Sequence, residues 1–251
     1  MATQLGSRNG AKTCQKMNIL AISDVVEPQL YSDRVKRYLG QIDLLVSCGD
    51  LPPYFLDFMM SMLGVPLVHV LGNHCYAPHD TDNHCSSECY PGAYNLDGRV
   101  AEYNGLVLAG VEGSPLYNMG PHQYTEQQIV WKLLRLSPSL VKEKVQSGRY
   151  LDVLVTHSPP RGIHDNSDLP HRGFEPLLGF MDRFKPTLML HGHTHRYDPM
   201  LPARSRYGST EIINVYGHCL IQLAREDQNS GWQLVTPETE LHEVLDGRES
   251  Q

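Results

Sequence analysis

The sequence predicts an α/β domain. Short apolar runs recur along it, five of them breaking off at an Asp, Asn or His, and stretches between them carry apolar residues at helical spacing. Its 251 residues suffice for one large domain that buries most of its apolar surface. Asn18 to Ser23 is the first run and stops at Asp24, after which Tyr31, Val35, Tyr38 and Leu39 mark one face of a helix. Leu44 to Cys48 stops at Gly49-Asp50, and Phe55, Phe58, Met59, Met62 and Leu63 mark a second helix. Leu67 to Leu71 is a third strand, running into Gly72-Asn73-His74. Three strands joined by two helical crossovers predict a parallel βαβαβ sheet, because parallel neighbours need long connections.

Ala77 to Pro91 is polar and irregular and predicts a long loop beside the strand ends. Val100 to Val111 predicts a hairpin around the two-residue turn Asn104-Gly105, and with it a change to antiparallel pairing. Thr125 and Gln128 have the spacing of a capping box, and Ile129, Val130, Leu133, Leu134 and Leu136 form an apolar helix face expected to end before Pro138. Val153 to Thr156 reads as a strand ending at His157. Phe174, Leu177, Leu178 and Met181 predict a helix halted near Lys185-Pro186, and Thr187 to Leu190 a strand ending in His191-Gly192-His193-Thr194-His195. Ile212 to Val215 and Leu220 to Leu223 predict a closing pair of strands. With no internal repeat and no dividing linker, the domain is expected over residues 17–225, a loose polar leader over 1–16 and a peripheral tail over 226–251.

Apolar residues make up 41% of the chain and charged residues 20%, and no apolar run approaches the roughly 20 residues that span a bilayer, so a soluble protein without a membrane partner is expected. The polar leader lacks the apolar segment of a secretory signal, which points to the cytoplasm. Six cysteines, at 14, 48, 75, 85, 89 and 219, are sparse for this length and fit free thiols in a reducing compartment. A formal net charge of -7 disfavours an extended nucleic-acid track, which draws its affinity from many Lys and Arg contacts. Thirteen histidines raise a different question, since imidazole is the commonest metal ligand.

Five predicted strands end in potential ligands: Asp24, Asp50, Asn73 with His74, His157, and His193 with His195. Taken singly, each has an ordinary reading as a helix cap, a turn residue or a buried imidazole. The ordered series is harder to assign to chance, because ligands of α/β sheets bind outside the carboxyl ends of the strands, where these residues can meet. Their oxygen and nitrogen donors suit Zn, Mn or Fe, and Asp50 could bridge two ions.

These motifs resemble the calcineurin-like metallophosphoesterase family, whose signature is Asp-x-His, Gly-Asp, Gly-Asn-His, a lone His, and Gly-His-x-His. The matching segments are Asp24-Val25-Val26, Gly49-Asp50, Gly72-Asn73-His74, His157 and Gly192-His193-Thr194-His195, within roughly residues 17 to 225. The resemblance implies two mixed β-sheets packed as a sandwich flanked by helices. It also implies two divalent ions, one held by Asp24, Asp50 and His195 and the other by Asp50, Asn73, His157 and His193. A water or hydroxide between such ions, about 3.5 to 4 Å apart, attacks phosphorus in line. His74 is the implied catalytic non-ligand, stabilising phosphoryl oxygens or protonating the leaving oxygen.

Departures from the signature matter. Val26 stands where a histidine is usual, leaving the first site one ligand short; weaker binding is expected there, ahead of an extra water, a contribution from Glu27 or an empty site. Pro53 and Cys75 replace acids that would act behind the ligands. Thr156-His157-Ser158-Pro159-Pro160 and Leu190-His191-Gly192-His193 are more similar to the class III phosphodiesterase branch than to the protein phosphatases, and a small phosphorylated substrate is expected. Arg161, His164 and Arg172 follow a ligand loop and could reach phosphate, although a solvated basic turn is the simpler reading for each. Cys75, His79, His84, Cys85 and Cys89 fit no standard zinc spacing and read as a polar loop with free thiols. Two functions remain open at this level: a metal-dependent phosphoesterase, or an inactive member of the fold that serves as a scaffold.

Overall fold

β1 (Gln15–Ser23) shows why the domain is layered. In the computed structural model, which describes residues 14–74, 90–196, 202–227 and 230–235, its side chains alternate between two apolar layers. Ile19 and Ala21 enter a cluster between two sheets, whereas Leu20 and Ile22 enter a cluster under helices. A strand buried on both faces reads as a continuous apolar run, as this one does.

The first sheet continues through β2 (Leu44–Ser47), β3 (Leu67–His69) and β4 (Tyr94–Asn95), all parallel to β1. Its crossovers are α1 (Val35–Leu39) and α2 (Pro53–Leu63), whose residues Val35, Leu39, Phe55, Leu56, Met59 and Leu63 cover the outer face. α1 is shorter than the expected face: Tyr31 precedes it, with its ring against Phe58 at 4.5 Å, and Tyr38 is exposed. The hairpin β5 (Val100–Tyr103) and β6 (Leu106–Val111) turns at Asn104 and Gly105, both at positive φ, as a two-residue turn matched to strand twist requires.

β6 then pairs in parallel with β9 (Val153–Thr156), and β9 with β10 (Leu188–His191), in the second sheet. Between them, β7 (Ser114–Pro115) and β8 (Gln123–Tyr124) form a two-stranded sheet. α3 (Glu126–Ser147) and α4 (Pro176–Phe184) cover the second sheet's outer face through Ile129, Leu133, Leu136, Leu140, Leu177, Phe180, Met181 and Phe184. The Thr125–Gln128 capping box is present in both directions. Among the described residues the result is helices, six-stranded sheet, six-stranded sheet, helices.

Two expectations change. α3 does not end before Pro138 but runs through it to Ser147. Pro138 lies on the exposed face, and Leu140 beyond it is fully buried on the same stripe as Ile129, Leu133 and Leu136, so core packing outweighs one missing backbone hydrogen bond. The apolar runs near the end do not pair with each other either. β12 (Thr210–Asn214) joins β10 and the antiparallel β11 (Arg204–Tyr207) in the second sheet, while β13 (Gly217–Arg225) crosses to pair with β1 in the first. β14 (Gln233–Leu234) adds to β13, and Trp232 is buried between the sheets, its indole N–H donating to the Gly105 carbonyl at 3.0 Å.

The continuation of α3 is testable. Leu140→Ala is expected to destabilise the protein by about 2–4 kcal/mol in denaturant unfolding. Leu134→Ala, before the proline but 52% exposed, is expected to change stability by no more than about 0.5 kcal/mol. Equal effects would show that the helix does not carry its buried stripe past Pro138.

Candidate metal centre

β1, β2 and β3 of one sheet and β9 and β10 of the other lead into Asp24, Asp50, Asn73, His157 and His193, so the site lies where the carboxyl ends of two sheets meet rather than along one sheet edge. The turns that leave these strands are tight. Asp24, Asp50 and His193 take positive φ angles of 63°, 53° and 66°, a conformation that costs of order 1–3 kcal/mol for a residue with a side chain. Two motif glycines have an equally local cause, since a Cβ on Gly72 would overlap Asp50 Oδ1 and lie 2.7 Å from His157 Cε1. One on Gly192 would overlap Ser23 Oγ and Asp24 Oδ2.

Donor atoms of Asp50, His157 and His193 lie within 4.8 Å of one another, and all three residues are buried. His157 Nδ1 donates to the Cys48 carbonyl at 2.8 Å, which turns Nε2 to the centre; it stands 3.2 Å from Asp50 Oδ2 and 3.1 Å from Asn73 Oδ1. His193 donates through Nε2 to the Pro170 carbonyl at 2.7 Å, leaving Nδ1 as its lone-pair nitrogen. Asn73 donates its Nδ2 to the Tyr117 hydroxyl at 3.2 Å, so its carbonyl oxygen faces His157. Asp50 Oδ1 accepts the backbone N–H of His74 at 2.9 Å, and the His74 side chain is exposed.

The expected first site is looser. Asp24 is buried and accepts the backbone N–H of His193 at 3.0 Å, but His195 Nε2 is 3.9 Å from Asp24 Oδ1 and its side chain is 39% exposed, with the ring stacked on Tyr216. Val26 packs against the apolar cluster under α1 and α2, and Glu27 forms an ion pair with His218.

Electrostatics divide the two carboxylates. Burial raises the Asp24 carboxyl, a rise that His157 opposes and Asp50 reinforces. Burial would raise Asp50 too, but the charge and hydrogen bond of His157, with the His74 N–H, hold it below the usual range. Burial works against charge on the His157 ring, yet Asp50 and Asp24 lift it to about 9, whereas burial and the neighbouring His157 take His193 down to about 3. Asp50 and Asp24 therefore favour positive charge on the His157 ring, between two oxygen acceptors. A divalent cation would fit this donor set, replacing it with a charge that Asp50, Asn73, His157 and His193 can all share.

Other site residues gave no signal in the sequence. Tyr117 reaches Asn73 from 44 positions away. A cavity of about 10 Å³, room for roughly one water, lies behind Asp50 and Gly72 and is lined also by His69, His74, Tyr90 and His122. His69 is fully buried there, with neither ring nitrogen hydrogen-bonded among the described residues. His122 bonds Glu112 at 3.2 Å, and Glu112 also meets Tyr124 and, at 3.2 Å, Lys132. Of the basic residues that follow His157, Arg161 bonds the Gly173 carbonyl and Glu126, His164 bridges His191 and Ser205, and Arg172 is exposed. Cys75, His79, His84, Cys85 and Cys89 lie outside the described residues, and Cys14, Cys48 and Cys219 form no disulfide with one another.

Comparison with curated proteins gives no match. Among solved structures, one aligns at a TM-score of 0.57 and 16% identity, covering 88% of this chain and 99% of its own. TT1561 of Thermus thermophilus aligns at 0.53 and 13% identity, with the same two coverages, and both likenesses show a shared fold. GAP50, the anchor in the inner membrane complex of Plasmodium, aligns at 0.49 and 12% identity over 92% of this chain and 94% of its own. A model of the family described as calcineurin-like phosphoesterase matches residues 17–197, a span that takes in every strand end from Asp24 to His195, and the chain belongs to that family.

Proposed function

We propose that the protein hydrolyses a small phosphoester with two divalent ions bound at the joined sheet edges. The observation that carries this reading is the meeting of Asp50, His157 and His193, with the Asn73 carbonyl beside them, in a buried pocket. Asp50, Asn73, His157 and His193 would hold one ion, and Asp24, Asp50 and His195 the other; Mn, Fe or Zn suits these donors. Bound there, the ions supply an activated water and neutralise charge on the phosphoryl oxygens. The protein's share is orientation: Cys48 and Pro170 fix the two imidazoles, and the Gly72 turn brings Asp50 against His157. His74, exposed beside Asp50, is assigned to the substrate, as donor to a phosphoryl oxygen or to the leaving oxygen.

A diester is favoured over a monoester by the similarity of the His157 and His193 motifs to class III phosphodiesterases. The negative net charge speaks against extended nucleic acid as substrate, and no helix among the described residues is long and apolar enough to cross a membrane. The looser first site favours a second reading, a non-catalytic member of the family, because Val26 and Glu27 are both engaged elsewhere.

Purified protein supplied with Mn²⁺ is expected to hydrolyse bis(4-nitrophenyl) phosphate faster than 4-nitrophenyl phosphate. Asp50→Ala and His193→Ala should each lower kcat/KM by about 100-fold or more. Turnover that survives both substitutions overturns the assignment. Elemental analysis showing no bound metal, together with no hydrolysis of either ester, selects the non-catalytic reading.

Gly72→Ala tests the packing argument separately. Gly72 is not among the residues at positive φ, so the added methyl acts by displacing Asp50 and His157, and Mn²⁺ affinity measured by dialysis is expected to fall about tenfold or more. Gly179→Ala, where a Cβ meets nothing within 4 Å, should leave it unchanged.

A further inference from the structure

We propose that Tyr117 is a positioning residue of the metal centre, holding the Asn73 amide so that its carbonyl oxygen faces the ions; this rests on the metal-dependent reading above. An asparagine can act as a ligand only through its oxygen, and nothing in its own torsions distinguishes that oxygen from the amide nitrogen. His157 Nε2, 3.1 Å from Oδ1, selects the oxygen for the centre, and Tyr117 anchors the other end of the amide, its hydroxyl accepting the Asn73 Nδ2 at 3.2 Å and so fixing the plane in which that oxygen is presented. Rotating the amide by half a turn would place two N–H donors against the His157 ring and an oxygen against the phenol, losing the carbonyl donor.

The phenol is held in place by construction. β7 and β8 carry the loop that presents it, and backbone bonds from Ser114 to the His122 carbonyl and from Leu116 to the Tyr124 carbonyl, each 3.0 Å, close its base. Gln123 Oε1 accepts the N–H groups of both Tyr117 and Asn118, and Gln123 Nε2 donates to Asn118 Oδ1 at 2.6 Å. The base is fastened in turn to both halves of the site. The Gly113 N–H donates to the Leu71 carbonyl beside Gly72 at 2.9 Å, and Ser158 Oγ, next to His157, donates to the Gly113 carbonyl at 3.0 Å. The loop is thus a bracket spanning the Asn73 turn and the His157 turn, with one phenol holding the amide nitrogen of Asn73.

The experiment is a double-mutant cycle read by Mn²⁺ equilibrium dialysis at neutral pH, which does not depend on turnover. Tyr117→Phe removes only the hydroxyl and is expected to weaken Mn²⁺ binding about tenfold while leaving the melting temperature of the metal-free protein unchanged. In an Asn73→Ala background, where there is no amide to orient, Tyr117→Phe should weaken binding no further. A loss of the same factor in both backgrounds would mean that Tyr117 acts through the loop at large, and unaltered affinity in the single variant would mean that it does not act on the centre; either overturns the inference alone. Wild-type protein that takes up no Mn²⁺ overturns this inference and the metal-dependent function together.

Discussion

His157 stands between the oxygens of Asp50 and Asn73 on a ring with no exposed surface, and the surrounding architecture serves to keep it there. Acceptors facing one another in a dry pocket repel unless positive charge lies among them. Asp50 and Asp24 favour that charge on the ring, lifting it to about 9 against the effect of burial, and a metal ion would supply more of it over more ligands. The left-handed turns at Asp24, Asp50 and His193 and the side-chain-free backbone at Gly72 make sense as the local strain of bringing five strand ends within reach of one charge.

The same constraint separates the two halves of the centre. Asp50 is held ionised by the imidazole it faces, while Asp24, further from compensating charge, is driven by burial toward the neutral form. The half built on Asp24 also has an exposed histidine and a valine turned into the apolar layer. Asp50, His157 and His193 are buried on one side of the pocket, while His195 on the other is exposed to solvent.

Much of this was legible in the sequence wherever the cause is local. A strand that stops at Gly49-Asp50, a turn at Asn104-Gly105 and a capping box at Thr125 each express a conformational preference within a few residues, and each stands where the pattern puts it. Val26 read in the sequence as a missing ligand, and its side chain packs against the apolar cluster under the helices. What escaped depends on distant parts of the chain. Ile212 to Val215 and Leu220 to Leu223 have the same apolar character although they belong to different sheets, and no periodicity distinguishes a pair of neighbours from a crossing between layers. Pro138 is a helix breaker by rule, overruled by a leucine two positions on. Tyr117 sits in a polar loop with nothing nearby to mark it, and its significance arises only when Asn73 arrives opposite.

The crossing of β13 into the first sheet has a further consequence for how this protein is made. β1 lies inside that sheet, paired along all nine of its residues with β13, from Gln15 against Arg225 to Ser23 against Gly217. During synthesis β1 therefore leaves the ribosome some two hundred residues before β13 exists, and Trp232, which fills the space between the sheets, follows later still. Until then β1 and β2 form an open edge with one greasy face uncovered, the kind of surface that chaperones hold and that aggregates when left alone. Pairing β1 with β13 therefore requires closure of a long loop, an entropic cost that local strand pairs do not carry.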